Sequence, residues 1–208
     1  IVAGLAPAAR IPRLVQAMTN EAALVHATWS RAHGDARSPR EGERGIAGPY
    51  LVLGTPEPWW DVERQMVRAQ PFYRYVVHDA LCEAGREDLI PSLCLDWLAL
   101  LSRCDTSLSE TWYGGTTSHA WSATPTRDLS TRTLGVTPAE PGFGVARVAP
   151  RLGPLAWARG AVPTPAGLLR LDASAEQVEL ESPIPVDLDL GDGDIRRLSA
   201  GAHRIARE

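Results

Sequence analysis

The chain has 208 residues, 44% of them hydrophobic and 22% charged, with a net charge of −4. This is enough apolar material for one or two globular domains with a real core, and it excludes a disordered chain. The acidic balance gives no electrostatic footing for nucleic acid or an anionic membrane as partner, and no run of about 18 apolar residues is present to span a bilayer.

The opening "IVAGLAPAAR" carries no Met and no charged segment ahead of an apolar stretch. It reads as starting mid-element, so the chain is expected to be a fragment. The next segment, "ARIPRLVQAM", places Ile11, Leu14, Val15 and Met18 on one face at helical spacing. Then comes "RAHGDARSPREGERGIAGPYLVLGTPEPWW", rich in Gly, Pro and charge and too long for a tight connection. Trp59 and Trp60 at its end could line a cleft or anchor the loop, and Gly42, Gly45 and Gly48 follow no strand and match no phosphate loop.

"PFYRYVVHDALCEAG" predicts a helix that opens on Pro71, aligns Phe72, Val76 and Ala80, and stops at Gly85. "EDLIPSLCLDWLALLSRC" puts Leu89, Leu93, Trp97, Leu100 and Cys104 on one stripe, and the short "GRED" between the two helices predicts an antiparallel hairpin. Cys82, Cys94 and Cys104 all fall in this helical sequence without CxxC spacing. They suggest neither a zinc site nor a disulfide framework, only buried thiols, and leave the compartment open.

After about residue 137 the apolar period becomes two. "GVARVAP", "LAWARGAV", "GLLRLDAS", "QVELES" and "PVDLDL" are short alternating runs between Gly and Pro turns, with Val178 and Leu180 on one side and Gln177, Glu179 and Glu181 on the other. Such strands with no helix between them predict an antiparallel sheet or sandwich. "DLDLGDGD" lacks the ligand order of a calcium loop and predicts a hairpin turn. The fold class is therefore α+β, with residues 1–136 helical and 137–208 a β module.

Between the two halves lies "SLSETWYGGTTSHAWSATP", which crowds Glu110, Trp112, Tyr113, His119 and Trp121 around a Gly-Gly pair. A loop held by rigid helices is a common place for chemistry. Glu110 could act as a general acid or base of glycoside cleavage, which uses two carboxyl groups. Trp112 and Trp121 could offer flat faces to sugar rings, and His119 could meet a hydroxyl. The structural alternative is that Glu110 caps or ion-pairs while the tryptophans are core. Ser118 beside His119 has no nucleophile elbow and reads as the N-cap of a helix ending at Gly135. His26, His33, His78 and His203 lack ligand spacing, and neither a metal nor a cofactor is expected.

Taken in order, "GREDLIPSLCLDWLALLSRCDTSLSETW", "SHAWSATP" and "LGVTPAEPGFGVARVAPRLGPLAWARGAVPTPAGLLRL" resemble the bacterial α-L-rhamnosidases of the six-hairpin type over roughly residues 70 to 172. The P-x-x-PGF-x-x-x-x-x-x-P run and G-x-V-x-TP-x-G are distinctive of that family's junction between barrel and C-terminal β-domain. The resemblance implies the last part of an (α/α)6 barrel over residues 1–136, a β-sandwich over 137–208, and inverting hydrolysis of terminal α-L-rhamnosides. It implies that Glu110, in the E-T-W motif, is the general base and that His119 contacts the sugar. Trp112 and Trp121 become wall residues by weaker transfer. A rhamnose-containing glycoside is the implied partner, with no nucleic acid or membrane.

Two departures stand out. Only eight residues separate Glu110 from His119, where many members have a longer segment. The family's general acid comes from an earlier hairpin that these residues do not contain, so the chain alone is expected to be inactive and poorly stable. A related (α/α)6 glycosidase for another sugar and a non-catalytic glycan-binding or structural module are the alternative readings.

Overall fold

A computed structural model describes residues 1–28, 45–47, 63–102, 107–112 and 117–207. Trp59, Trp60, Cys104, Tyr113 and the Gly114-Gly115 pair lie outside the described residues. In chain order the elements are α1 (Ile11–Thr19), β1 (Leu24–Thr28), β2 (Gly45–Ala47), β3 (Met66–Val67), α2 (Arg74–Glu83), α3 (Ile90–Cys94), α4 (Leu98–Leu101) and α5 (Thr124–Asp128). Strands follow: β4 (Val136–Pro138), β5 (Ala146–Val148), β6 (Trp157–Thr164), β7 (Gly167–Ser174), β8 (Gln177–Ser182), β9 (Val186–Asp189), β10 (Ile195–Leu198) and β11 (Gly201–Ala206). The fold is α+β with a β-rich C-terminal part. Two compact units divide it, one of residues 1–85 with 96–124 and the other of 86–95 with 125–208.

In the first unit α2 forms as its sequence predicts. Pro71 opens a 3-10 turn that leads into the helix, and Gly85 takes a φ of 69° just past its end, a conformation that costs glycine no Cβ clash. Buried inside are Val15, Leu81, Trp97, Leu100 and Trp112. The expected face of α1 is only partly covered, since Val15 is buried while Leu14 is exposed. A parallel sheet of order β2-β1-β3 also occurs here. Nothing in the helical period of this half announces it, because its strands pair across long stretches of sequence.

The second stripe, Glu87 to Leu101, is helical in short pieces, with 3-10 turns at Glu87–Leu89 and Leu95–Trp97 interrupting α3 and α4. Ser118 does not cap the helix that follows. His119 occupies the position before the 3-10 turn Ala120–Ser122, and no side chain caps it. Past α5 the backbone widens into a π-turn, with Leu134 N–H bonded to the Leu129 carbonyl at 2.9 Å, and it ends at Gly135 as expected.

The second unit carries two four-stranded sheets, of order β10-β9-β5-β4 and β11-β8-β7-β6. Neighbouring strands are antiparallel except β5 and β9, which pair in parallel. Alternation sets which face is buried: Val178 and Leu180 point inward from β8, while Glu179 and Glu181 point out. Val136, Ala146, Val148, Val186 and Leu188 of one sheet meet Leu169, Leu171, Ala173, Val178 and Leu180 of the other in one core. Each fully buried aliphatic side chain there stabilises the fold by about 1.5–3 kcal/mol. The "DLDLGDGD" stretch turns as a β9–β10 hairpin, with Gly191 and Gly193 at φ 86° and 90°.

Candidate functional site

The segment singled out in the sequence closes on itself. His119 donates its backbone N–H to the Leu108 carbonyl at 3.0 Å, and the Ser107 hydroxyl donates to the Thr117 carbonyl. These bonds hold the two ends of the loop together, with Glu110 two residues past Leu108. Glu110 is half-buried between Ser109 and Thr111, both buried.

Four aromatic rings form a cluster that meets the His119 imidazole through Phe72 and Trp121. Trp121 lies parallel to His119, with 6.5 Å between ring centroids and 8° between planes. Tyr75 stacks on Trp121 at 6.4 Å. Phe72 presents an edge to both, at 5.8 Å from His119 and 6.3 Å from Trp121, and Tyr73 meets Phe72 and Tyr75 at 6.0 Å each. Trp121 is 60% exposed and Tyr73 51%. The cluster thus leaves much of Trp121 and Tyr73 in contact with solvent.

Trp112 sits differently from Trp121. It is only 5% exposed and packs edge-on against Trp97 with ring centroids 5.1 Å apart. Its indole N–H bonds the Ala69 carbonyl at 2.8 Å, and its backbone N–H bonds Gln70 Oε1 at 3.0 Å. The Arg68 guanidinium lies 4.7 Å from its ring centre, a cation–π arrangement. That guanidinium also pairs with Asp96 at 2.6 Å, and the buried Arg74 reaches the same carboxylate oxygen at 2.9 Å. Trp112 therefore anchors the stretch just after Glu110 to the segment ahead of α2.

The structure brings His119 and Trp121 into one aromatic cluster and places Trp112 in the packing beneath the Glu110 segment. Phe72, Tyr73 and Tyr75 join the cluster, although the sequence of "PFYRYVV" predicts only a helix face. The available signal was three aromatics in four residues. Of the remaining histidines, His78 is fully buried with its ring centroid 6.0 Å from that of Trp97, and His203 Nε2 lies 2.8 Å from the Ser199 carbonyl. Among the described residues no cluster of three or more His, Cys, Asp or Glu side chains could hold a metal, and no helix is long and apolar enough to cross a membrane.

No protein-family model matches the chain, and no curated protein matches it. Solved structures do. A GH78 family rhamnosidase of Bacillus sp. GL1 aligns with 67% of this chain at 24% identity and a TM-score of 0.50. The α-L-rhamnosidase of Aspergillus terreus aligns with 64% at 17% identity and a TM-score of 0.53. That of Dictyoglumus thermophilum aligns with 65% at 14% identity and a TM-score of 0.52. The likeness is one of fold. The chain spans only 16%, 19% and 20% of those three proteins.

Proposed function

We propose that this chain is the base-supplying, C-terminal part of an inverting α-L-rhamnosidase. In this reading residues 1–136 are the end of an (α/α)6 barrel and residues 137–208 a β-sandwich. Glu110 deprotonates the water that attacks the anomeric carbon, while a general acid from an earlier hairpin protonates the leaving oxygen. Inversion needs the two carboxyl groups roughly 6.5–9.5 Å apart with that water between them. His119 holds a sugar hydroxyl, Trp121 gives the ring a face to lie on, and Trp112 keeps the wall behind Glu110 in place.

The observation that carries the reading is the backbone bond from His119 to Leu108, which ties the half-buried Glu110 to the same anchor as His119, whose ring belongs to the aromatic cluster. The rhamnosidase fold likeness supports the choice of chemistry. The test is aryl α-L-rhamnoside hydrolysis by the full-length reading frame that contains these residues, with and without Glu110→Gln. The expected outcome is a kcat lowered by about 10²–10⁴-fold with little change in KM. Full activity in the variant would remove Glu110 from the mechanism, and turnover of a different aryl glycoside in preference to the rhamnoside would move the substrate class.

A further inference from the structure

The sheet β11-β8-β7-β6 buries one face in the core and turns the other outward, where a cavity of about 860 Å³ opens. Strand register arranges the outward side chains in rows. Arg159, Asp172, Glu179 and Arg204 stand side by side across the four strands. Arg159 Nε bonds Asp172 Oδ2 at 2.7 Å, and Arg204 Nε lies 3.4 Å from Glu179 Oε1. Two residues along, about 7 Å at the strand rise, a second row sets Arg170 beside Glu181 at 4.0 Å, flanked by the small Ala161 and Ala202. Two residues the other way along β6 stands Trp157, which is 62% exposed.

We propose that this sheet face is a binding site for a neutral oligosaccharide. Three guanidiniums and three carboxylates line the cavity, so their charges cancel. A polyanion would meet the carboxylates and a polycation the arginines, so neither gains a net attraction. An apolar partner would strip water from six charged groups without replacing its hydrogen bonds. A polyol replaces them: vicinal hydroxyls both donate to carboxylates and accept from guanidiniums. Arg159 gives two N–H donors to Asp172 and Arg204 gives two to Gln177 Oε1; a guanidinium has five such donors and a carboxylate about four acceptor sites, so both kinds of group keep capacity for a ligand. The pairing also restrains these long side chains, which lowers the ordering cost of binding. Next to the first row, two residues from Arg159 on β6, the exposed indole of Trp157 adjoins the cavity lining and offers an apolar surface for a sugar's C–H groups, and the cavity is of ordinary ligand-site size. The site lies wholly within residues 157–206 and does not depend on the role given to Glu110.

The test uses the whole 208-residue chain titrated with cellotetraose, xylotetraose, mannotetraose and methyl α-L-rhamnoside, followed by calorimetry and tryptophan fluorescence, with heparin and polylysine as charged comparisons. At least one neutral glycan is expected to bind with a Kd at or below the millimolar range. Trp157→Ala, and separately the pair Asp172→Asn with Glu179→Gln, should each weaken that binding at least tenfold while the thermal midpoint stays in place. Three results would overturn the assignment: no neutral probe bound at roughly 10 mM, tighter binding of a charged polymer, or binding lost in Trp121→Ala but kept in Trp157→Ala. The second variant set keeps the test decisive if Trp157→Ala fails to fold.

Discussion

The Leu108 carbonyl accepts the backbone N–H of His119 at 3.0 Å, so the ten intervening residues leave and return at one point. A carboxylate two residues from one end and an imidazole at the other are thereby tied to a common anchor. Beside that bond, the Ser107 hydroxyl donates to the Thr117 carbonyl, and the ring and backbone of Trp112 are both held by residues 68–70.

The two tryptophans of this loop should respond oppositely to truncation. Trp121→Ala removes a side chain that is 60% exposed, so stability should stay within about 0.5 kcal/mol. On the proposed function, its loss should instead raise KM for an aryl rhamnoside in the full-length protein. Trp112→Ala empties a buried site beside Trp97 and should cost about 3–5 kcal/mol. Denaturant melts of both variants beside their steady-state kinetics separate the two roles.

Asp96 is the shared acceptor of Arg68 and Arg74, and Arg74 is 1% exposed. Removing Asp96 takes a charged hydrogen bond from the buried Arg74, at a cost of about 1.5–3 kcal/mol. Asp96 itself is partly open, so Asp96→Ala should fall at the lower end of that range. The same change frees Arg68 from its carboxylate above the Trp112 ring, and a shift in tryptophan fluorescence should accompany the lost stability.

Gly135 joins the last helical turn to β4 with a φ of 69°, and a Cβ there would collide with the Ala149 carbonyl. Gly193, in the β9–β10 turn, has a φ of 90° but open space around it. Gly135→Ala should therefore destabilise by more than the roughly 1 kcal/mol expected where only the dihedral is at fault. Gly193→Ala should stay near that figure. Thermal melts of the pair distinguish steric conflict from backbone preference.

Much of the β-rich part was legible because its signals are local. The runs "GLLRLDAS" and "QVELES" become β7 and β8 with the boundaries that their alternation marks, and Gly85 and Gly135 end helical turns where glycine alone is free to. What stayed hidden depends on distant partners. The parallel pairing of β1 with β3 joins Leu24 to Met66, and that of β5 with β9 joins Ala146 to Val186. No pattern within a few residues encodes such a choice. The site was half visible for the same reason. Glu110, His119 and Trp121 share a short segment, whereas Tyr75 reaches Trp121 only through folding. Trp112 and Trp121 have the same residue type and opposite burial, which spacing alone does not separate.

Asp189 gives the fold an acid limit with a definite sign. Burial pushes its carboxyl upward, but hydrogen bonds from Arg147 and the Gly191 N–H, with the charge and hydrogen bond of Arg151, hold it below the ordinary aspartate value. Arg147 lies 2.7 Å away and Arg151 3.2 Å. A group whose folded value is depressed stabilises the native state fully above its unfolded value, near 3.9, and loses that contribution as pH falls through the lower folded value. Unfolding midpoints measured between roughly pH 6 and pH 2 should therefore decline at the acid end. Asp189→Asn should be less stable at neutral pH, where the charged contacts are lost, and should show a shallower acid decline. A variant whose acid decline matched that of the parent would assign the acid limit to other carboxylates, with Asp88 beside Arg86 and Glu176 beside Ser174 the next to test, since both are also held below their usual range.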